Sequence, residues 1–389
     1  MDLSRLAPLL AFAGQINKLT DMPHPIAPTP ADDAIRRLAG HCYLALRTGD
    51  GNHLSTRPTA DALRRSGLAG IHSNLCERLG VETDRTSAIQ GLGLVVANRH
   101  RWESLLELLA LLEAEGIRPV LFKGGALHAR WPQMLDLRVM SDYDLMVPQA
   151  QVERLRRLVA QLGYESLPAA SWLTQRLSKG LMVWRGSGFE YQNLDIHARV
   201  TEPPVCDSLT RSMLSSGERG SGVRIPDLED CVCMIALHVV RSGMYRPLQE
   251  YIDLLWYVDG MDDAQWRSLR VRAVRHHLAP ALFLSLRQAV HCLALDELAP
   301  ERARMLAARI AELRGGIGRL RMHALDWLAP PGYPLHPVTS RNRPAFRRSL
   351  ILGAGTGSLW RVGAAFVMYG AARFGDGLSR AKQAGATAT

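Results

Sequence analysis

The chain has 389 residues, 47% of them hydrophobic and 22% charged, which is enough to build two or three globular units with substantial cores. Its formal net charge of +10 is nearly all arginine, with lysine only at Lys18, Lys123, Lys179 and Lys382, a bias expected of a GC-rich genome, so the basicity does not select a nucleic-acid partner. Six cysteines, Cys42, Cys76, Cys206, Cys231, Cys233 and Cys292, form no CxxC pair and no regular spacing; neither a zinc ribbon nor a disulfide framework is indicated, and a reducing, cytoplasmic setting is favoured.

The chain begins MDLSRLAPLLAFAGQINKLTDMP, an apolar run of signal-peptide length. Asp2 stands where a positive charge belongs in an export signal and the cleavage site is unconvincing, so an amphipathic helix is expected. MPHPIAPTP, residues 22–30, reads as a Pro-rich linker. From residue 31 to about 115 the pattern is helical, with Ile35, Leu38, Ala39 and Cys42 at i, i+3, i+4 and i+7 and a leucine stripe in RWESLLELLALLEAEG that ends at Gly116. Residues 1–90 thus form an N-terminal helical region.

The period then changes. RPVLFK, residues 118–123, is short and apolar after a turn signal, as a buried strand requires. Gly124 and Gly125 end it, ALHARW can make a short helix, and YDLMV is the next compact strand. Pro148 sits at a helix N1 position, and Val152, Leu155, Val159 and Leu162 line one face of the helix that Gly163 stops. GFEYQNLDIHARV, residues 188–200, reads as a strand in which Leu194, Ile196 and Ala198 face one way and Asp195 the other. After EPP, residues 202–204, most of the chain to about 330 is helical again. The expected fold class is α+β, with a core at 91–203, a helical domain at 204–330 and a basic, partly apolar extension at 331–389.

Within the core, RVMSDYDLMV carries two carboxylates, Asp142 and Asp144. On a strand they share one face while Tyr143 and Leu145 point into the packing. Like charges this close raise a pKa unless a cation neutralises them, and Mg²⁺ held by one or two carboxylates plus substrate phosphates is the usual solution. Asp195, on another strand, could complete a two-ion site clamping the attacking and leaving oxygens of a phosphoryl or nucleotidyl displacement. Gly124 and Gly125, at a strand-to-helix turn, let backbone N–H groups approach a phosphate, and Lys123 beside them adds a point charge.

These residues carry a resemblance. KGGALHARWPQMLDLRVMSDYDLMV followed by NLDIHARV resembles the nucleotidyltransferase fold of the DNA polymerase beta superfamily: a Gly-Gly or Gly-Ser turn, an Asp-x-Asp strand, and a third Asp on a later strand. More narrowly, the chain is similar to the bacterial uncharacterised nucleotidyltransferase family, through LHVVRSG with Leu237 and His238 and EYIDLLWYV with Asp253, over roughly residues 90–295. The resemblance implies a polymerase beta-like mixed-sheet core flanked by helical regions, with Mg²⁺ or Mn²⁺ as metal and an NTP as co-substrate. Asp142, Asp144 and Asp195 would be the metal-binding and catalytic acids, Asp195 also activating an acceptor hydroxyl. Gly124 and Gly125 would hold the triphosphate; Lys123, Arg138 and Ser141 would contact phosphate or position the acidic strand. Two departures are a glycine at 125 where serine is frequent and a long interval to Asp142, which implies an inserted helix and loop.

The implied activity is transfer of a nucleoside monophosphate to a hydroxyl-type acceptor, whether small molecule, peptide, protein or RNA. Toxin-type transfer to tRNA or protein, a noncatalytic nucleotide-binding scaffold, and a polyanion-binding helical protein with an incidental DxD are the alternatives. His197 reads equally as an acceptor or phosphate contact and as a structural partner of a carboxylate. His238 and Asp253, on helices, read as packing or interdomain hydrogen-bond residues more than as cleft residues. His276 and His277 diverge on a helix, against a metal role. GAGTG, residues 353–357, lacks the register and following acid of a dinucleotide fingerprint. Arg361 interrupts the apolar segment around it, which favours a cap or an interfacial helix with peripheral membrane contact over a span.

Overall fold

A computed structural model of the chain describes residues 30–54, 58, 63, 68–83, 85–166, 180–186, 192–200, 207–215, 217–220, 223–241 and 248–317. The expected N-terminal helix, the Pro-rich linker up to Thr29, residues 188–191 of the expected strand, EPP and the whole C-terminal extension, GAGTG included, lie outside the described residues.

Helix α1 (Pro30–Thr48) buries Leu38, Ala39, Cys42, Tyr43 and Ala45, the stripe its 3.6-residue period lays on one face. It packs against α2 (Ala69–Arg78), which in turn lies along the long α3 (Arg85–Ala114). In the leucine stripe of α3, Leu105, Leu108, Leu109 and Leu112 are buried and Leu111 is exposed, because only every third or fourth position can face the core.

The core sheet has five strands: β1 (Val120–Phe122), β2 (Tyr143–Met146), β3 (Glu165–Ser166), β4 (Gly180–Arg185) and β5 (Gln192–His197). Their spatial order is β1-β2-β5-β4-β3; β2 and β5 run parallel and the other neighbours antiparallel. A parallel pair needs a crossover, and α5 (Val152–Gln161) with β3 and β4 supplies it, α5 burying Leu155 and Val159. The short helix α4 (Gly124–Arg130) follows β1 directly. Pro148 does not open α5 as its position suggested; it precedes a 3₁₀ turn, Gln149–Gln151, and the α-helix starts at Val152.

Beyond the sheet, α6 (Asp207–Ser215) leads to a hairpin of β6 (Glu218–Gly220) and β7 (Val223–Ile225), two strands not anticipated within the region expected to be mostly helical. Three-residue strands are too short to display a two-residue period. Helices α7 (Leu228–Arg241), α8 (Leu248–Asp259), α9 (Asp263–Arg275), α10 (Ala279–Cys292), α11 (Leu295–Leu298) and α12 (Pro300–Leu313) complete the lobe. The almost fully buried α10 is its axis, touching α7, α8 and α12 and reaching back to α1. Asp230, wholly buried, accepts from Ser212 at 2.7 Å and pairs with Arg272 at 3.1 Å, with His276 at 3.6 Å, so one carboxylate ties α6, α7 and α9 together. Burial alone would raise its pKa, yet the hydrogen bonds of His276 and Ser212 and the charge of Arg272 hold it below the usual carboxylate range.

Cys42, Cys76, Cys231, Cys233 and Cys292 are buried and none is in a disulfide. Among the described residues, no helix is long and apolar enough to cross a membrane.

Candidate active site

Strand β2 begins at Tyr143, so Asp142 stands one residue before it and Asp144 within it. All four residues of β2 are buried, Tyr143 and Leu145 on one face of the strand and Asp144 and Met146 on the other. The parallel register sets Asp144 directly beside Asp195, and Met146 beside His197, so both acids and the imidazole emerge on one face of the sheet. His197 Nε2 donates to Asp144 Oδ1 at 3.0 Å and lies 2.9 Å from Asp195 Oδ2. On the other side β1 aligns Phe122 with Asp144, and the ammonium of the next residue, Lys123, is ion-paired with Asp144 Oδ1.

Asp144, Asp195 and His197 each offer a ligand atom, all within 4.8 Å of one another. The group expected from the sequence was Asp142, Asp144 and Asp195; in the close cluster His197 stands in place of Asp142, because parallel pairing carries position 197 diagonally over Asp144. Asp142 lines the same cleft and accepts from Ser141 Oγ at 2.9 Å, so Ser141 orients an acid.

The electrostatics follow from burial and neighbours. Burial would raise Asp144, but the charge of Lys123 and the hydrogen bond from His197 hold it well below the usual carboxylate range. Burial and the charge of Asp144 push Asp142 up, against the opposing pull of Ser141 and Lys123. Burial disfavours the imidazolium of His197, yet its hydrogen bonds to Asp144 and Asp195 raise its pKa overall.

The acids face a cleft of about 780 Å³. The sheet side contributes Lys123, Gly124, Arg138, Ser141, Asp142, Asp144 and Asp195; α2 and α3 add Gly70, Leu94 and Arg101; α7 and α8 add His238, Glu250 and Asp253. His238 and Asp253 therefore do line the site, with His238 Nδ1 3.5 Å from Glu250 Oε2. Lys123 has φ +52°, an uncommon conformation for a non-glycine residue, at the junction of β1 and α4.

The two turn glycines have different reasons to be glycine. A Cβ on Gly124, which lines the cleft, would collide with the Met140 thioether. Gly125 is buried and is not among the cleft-lining residues; a Cβ there would come within 2.7 Å of Leu121 Cγ. Of the two glycines expected to hold a phosphate, Gly124 alone lines the cleft, while Gly125 lets α4 fold back onto β1. Gly125→Ala is expected to cost about 1–3 kcal/mol in a urea titration, the cost of overpacking a tight contact.

Sequence reasoning missed Asn98, Arg101, His128 and Gln249, which hold the acid-bearing loop alongside Arg138, the residue already expected to contact phosphate or position the acidic strand. Asn98 on α3, fully buried, donates to Leu135 O at 2.6 Å and Arg138 O at 3.1 Å and accepts from Met140 N at 3.0 Å. Arg101 donates to Met140 O at 2.8 Å and Gln249 to Val139 O at 3.1 Å. His128, which burial pushes down to about 3 and so keeps neutral, donates from Nε2 to Arg138 O at 2.8 Å. Arg138 Nε donates to both carboxylate oxygens of Asp253, at 3.1 and 2.9 Å, tying the loop to α8. The one local signal for Asn98 was a polar residue inside the apolar run VVANRH.

A family model described as an uncharacterised nucleotidyltransferase matches residues 93–294, more than half of the chain and within a residue or three of the span that the sequence motifs marked out. No curated protein and no solved structure gives a significant match.

Proposed function

The chain belongs to the uncharacterised nucleotidyltransferase family, and from that premise we propose that it is a divalent-metal-dependent enzyme with a polymerase beta-like core that transfers a nucleoside monophosphate from an NTP to a hydroxyl-type acceptor. The observation that carries the reading is the in-register pairing of Asp144 with Asp195 at the wall of a cleft that also contains Asp142, Lys123 and Gly124. The core would be residues 91–203 and the helical domain 204–330, in a cytoplasmic setting.

The donor set suits Mg²⁺ or Mn²⁺. Asp144 and Asp195 present carboxylate oxygens a few ångströms apart, and the raised pKa of Asp142, from burial and the charge of Asp144, marks negative charge that a cation would relieve. When bound, such an ion supplies charge neutralisation at the transferring phosphoryl group. Asp142, Asp144 and Asp195 would hold it. Backbone at Gly124 and the Lys123 ammonium would hold the phosphates, and His197 would keep both paired acids in one orientation. Asp195 has a side chain 27% exposed against 4% for Asp144, so it is the acid placed to take the proton of the acceptor hydroxyl. The acceptor oxygen then bonds to the α-phosphorus, the bond to the bridging oxygen breaks, and pyrophosphate leaves. Toxin-type transfer to tRNA or protein would use the same residues with a different acceptor. A scaffold without catalysis has no need of three acids converging on one cleft.

The test is calorimetric titration of ATP, GTP, CTP and UTP, each with Mg²⁺, into the wild type and an Asp142→Asn, Asp144→Asn double variant. Binding of one NTP that requires Mg²⁺ and is lost in the variant supports the proposal and names the donor; absence of nucleotide binding by the folded wild type overturns it.

A further inference from the structure

We infer that Lys123 is an internal stand-in cation: its ammonium holds Asp144 Oδ1 until a divalent ion claims that carboxylate, and the displaced lysine then turns to the incoming phosphates. The inference rests on the metal-dependent reading above and gives the lysine a role before nucleotide arrives.

Asp144 Oδ1 is engaged by two donors, Lys123 Nζ and His197 Nε2. They differ in their freedom to leave. His197 is 4% exposed, is packed edge-on against the Phe122 ring at 5.1 Å, and is held by Asp195 as well. Lys123 has a flexible four-carbon stem, lines the cleft, and retains 19% of its side-chain exposure. Of the two, the lysine is the one that can swing away without opening the core. Its surroundings explain why a cation is kept there. Asp142, Asp144 and Asp195 face one cleft, and Lys123 lies close enough to lower both Asp142 and Asp144, so it screens their repulsion. The positive φ at Lys123 lets the residue both end β1 and aim its side chain back across the face of Asp144. Gly124, directly after it, opens the same wall to a phosphate.

A permanent structural salt bridge and a stand-in make opposite predictions for metal affinity. If Lys123 competes with the metal, removing it removes both a competitor and a like charge; if it merely orders Asp144, removing it disorders a ligand. The experiment is calorimetric titration of Mn²⁺ without nucleotide into the wild type, Lys123→Met and Asp195→Asn, with circular dichroism to confirm folding. Lys123→Met is expected to bind Mn²⁺ at least about tenfold more tightly than the wild type, since a unit charge a few ångströms away is removed, and to bind the Mg²⁺ complex of the donor NTP more weakly. Unchanged or weaker Mn²⁺ binding by a folded Lys123→Met, with binding in the wild type and its loss in Asp195→Asn, overturns the stand-in and leaves the proposed function in place. Absence of Mn²⁺ binding in every variant overturns both.

A second measurement needs no loss of the lysine. The sequence has four lysines, so reductive ¹³C-dimethylation gives few resonances, and that of Lys123 is assigned by its disappearance in Lys123→Arg. Addition of Mg²⁺ to the labelled wild type should shift this resonance alone as the ammonium leaves Asp144; a resonance unmoved at saturating Mg²⁺ overturns the inference.

Discussion

Asp144→Asn should lower NTP-dependent pyrophosphate release by about 10³-fold or more while leaving the protein folded, the scale of loss seen when a preorganised electrostatic contact to a transition state is removed. Asp144 is the acid at the centre of the cluster: it neighbours Asp195 in the sheet and receives both Lys123 and His197. The amide keeps the shape and one acceptor oxygen but lacks the charge a divalent ion needs. Stability should change far less than activity. The buried carboxylate carries a desolvation cost that the amide avoids, and Lys123 reaches solvent when its partner is neutralised. The pH dependence has a definite sign. Because the folded-state pKa of Asp144 is depressed, its ionised pairing stabilises the protein above the unfolded carboxylate range and is lost as pH falls below that range. Acid titration of stability should therefore be shallower in Asp144→Asn than in the wild type. Equal pyrophosphate release by the variant would remove Asp144 from the chemistry.

Arg138→Met should destabilise the fold by about 3–5 kcal/mol at pH 8 and by clearly less at pH 5. Arg138 is the charged partner of Asp253, whose side chain is 6% exposed, and burial pushes Asp253 up to about 6 even with the guanidinium opposing it. Without the arginine the carboxylate at pH 8 must either stay ionised and unpaired or take up a proton against the solution pH, whereas at pH 5 it is already protonated and the penalty shrinks. The sign for the wild type follows from the same shift. The folded state keeps a proton that the unfolded state releases near pH 4, so the contribution of Asp253 to stability falls as pH rises from about 4 to about 6. Asp253→Asn should flatten that segment of the stability curve. The variant also tests function, since Arg138 opens the loop that delivers Ser141 and Asp142 to the cleft; Arg138→Met should weaken Mg²⁺-dependent NTP binding at pH 8 along with stability. A pH-independent loss of stability would show that the pair is not the origin of the effect.

Much of the helical framework was legible because helix formation leaves a local imprint. Leu38, Ala39 and Cys42 on α1 and Leu155 and Val159 on α5 are buried where their spacing placed them. The strands bearing the acids were legible for the same reason, a short apolar run with carboxylates on the alternate face. The hairpin β6–β7 was not, its strands being three residues each, nor was β4, and Pro148 yields a 3₁₀ turn where an immediate α-helix was expected.

By itself the sequence determined the acids, the glycine turn and the order of elements that carry them, because alternation on a strand and periodicity on a helix depend only on near neighbours. Tertiary structure decided which groups meet. Asp195 became the neighbour of Asp144 through parallel pairing across a crossover, and the same register brought in His197 and left Asp142 at the cleft wall. Asn98 lies 42 residues from the backbone N–H it accepts from, and Asp253 lies 115 residues from Arg138. No local pattern encodes such pairings; they exist because a buried loop must satisfy its backbone groups and its charge from whatever helices pack against it.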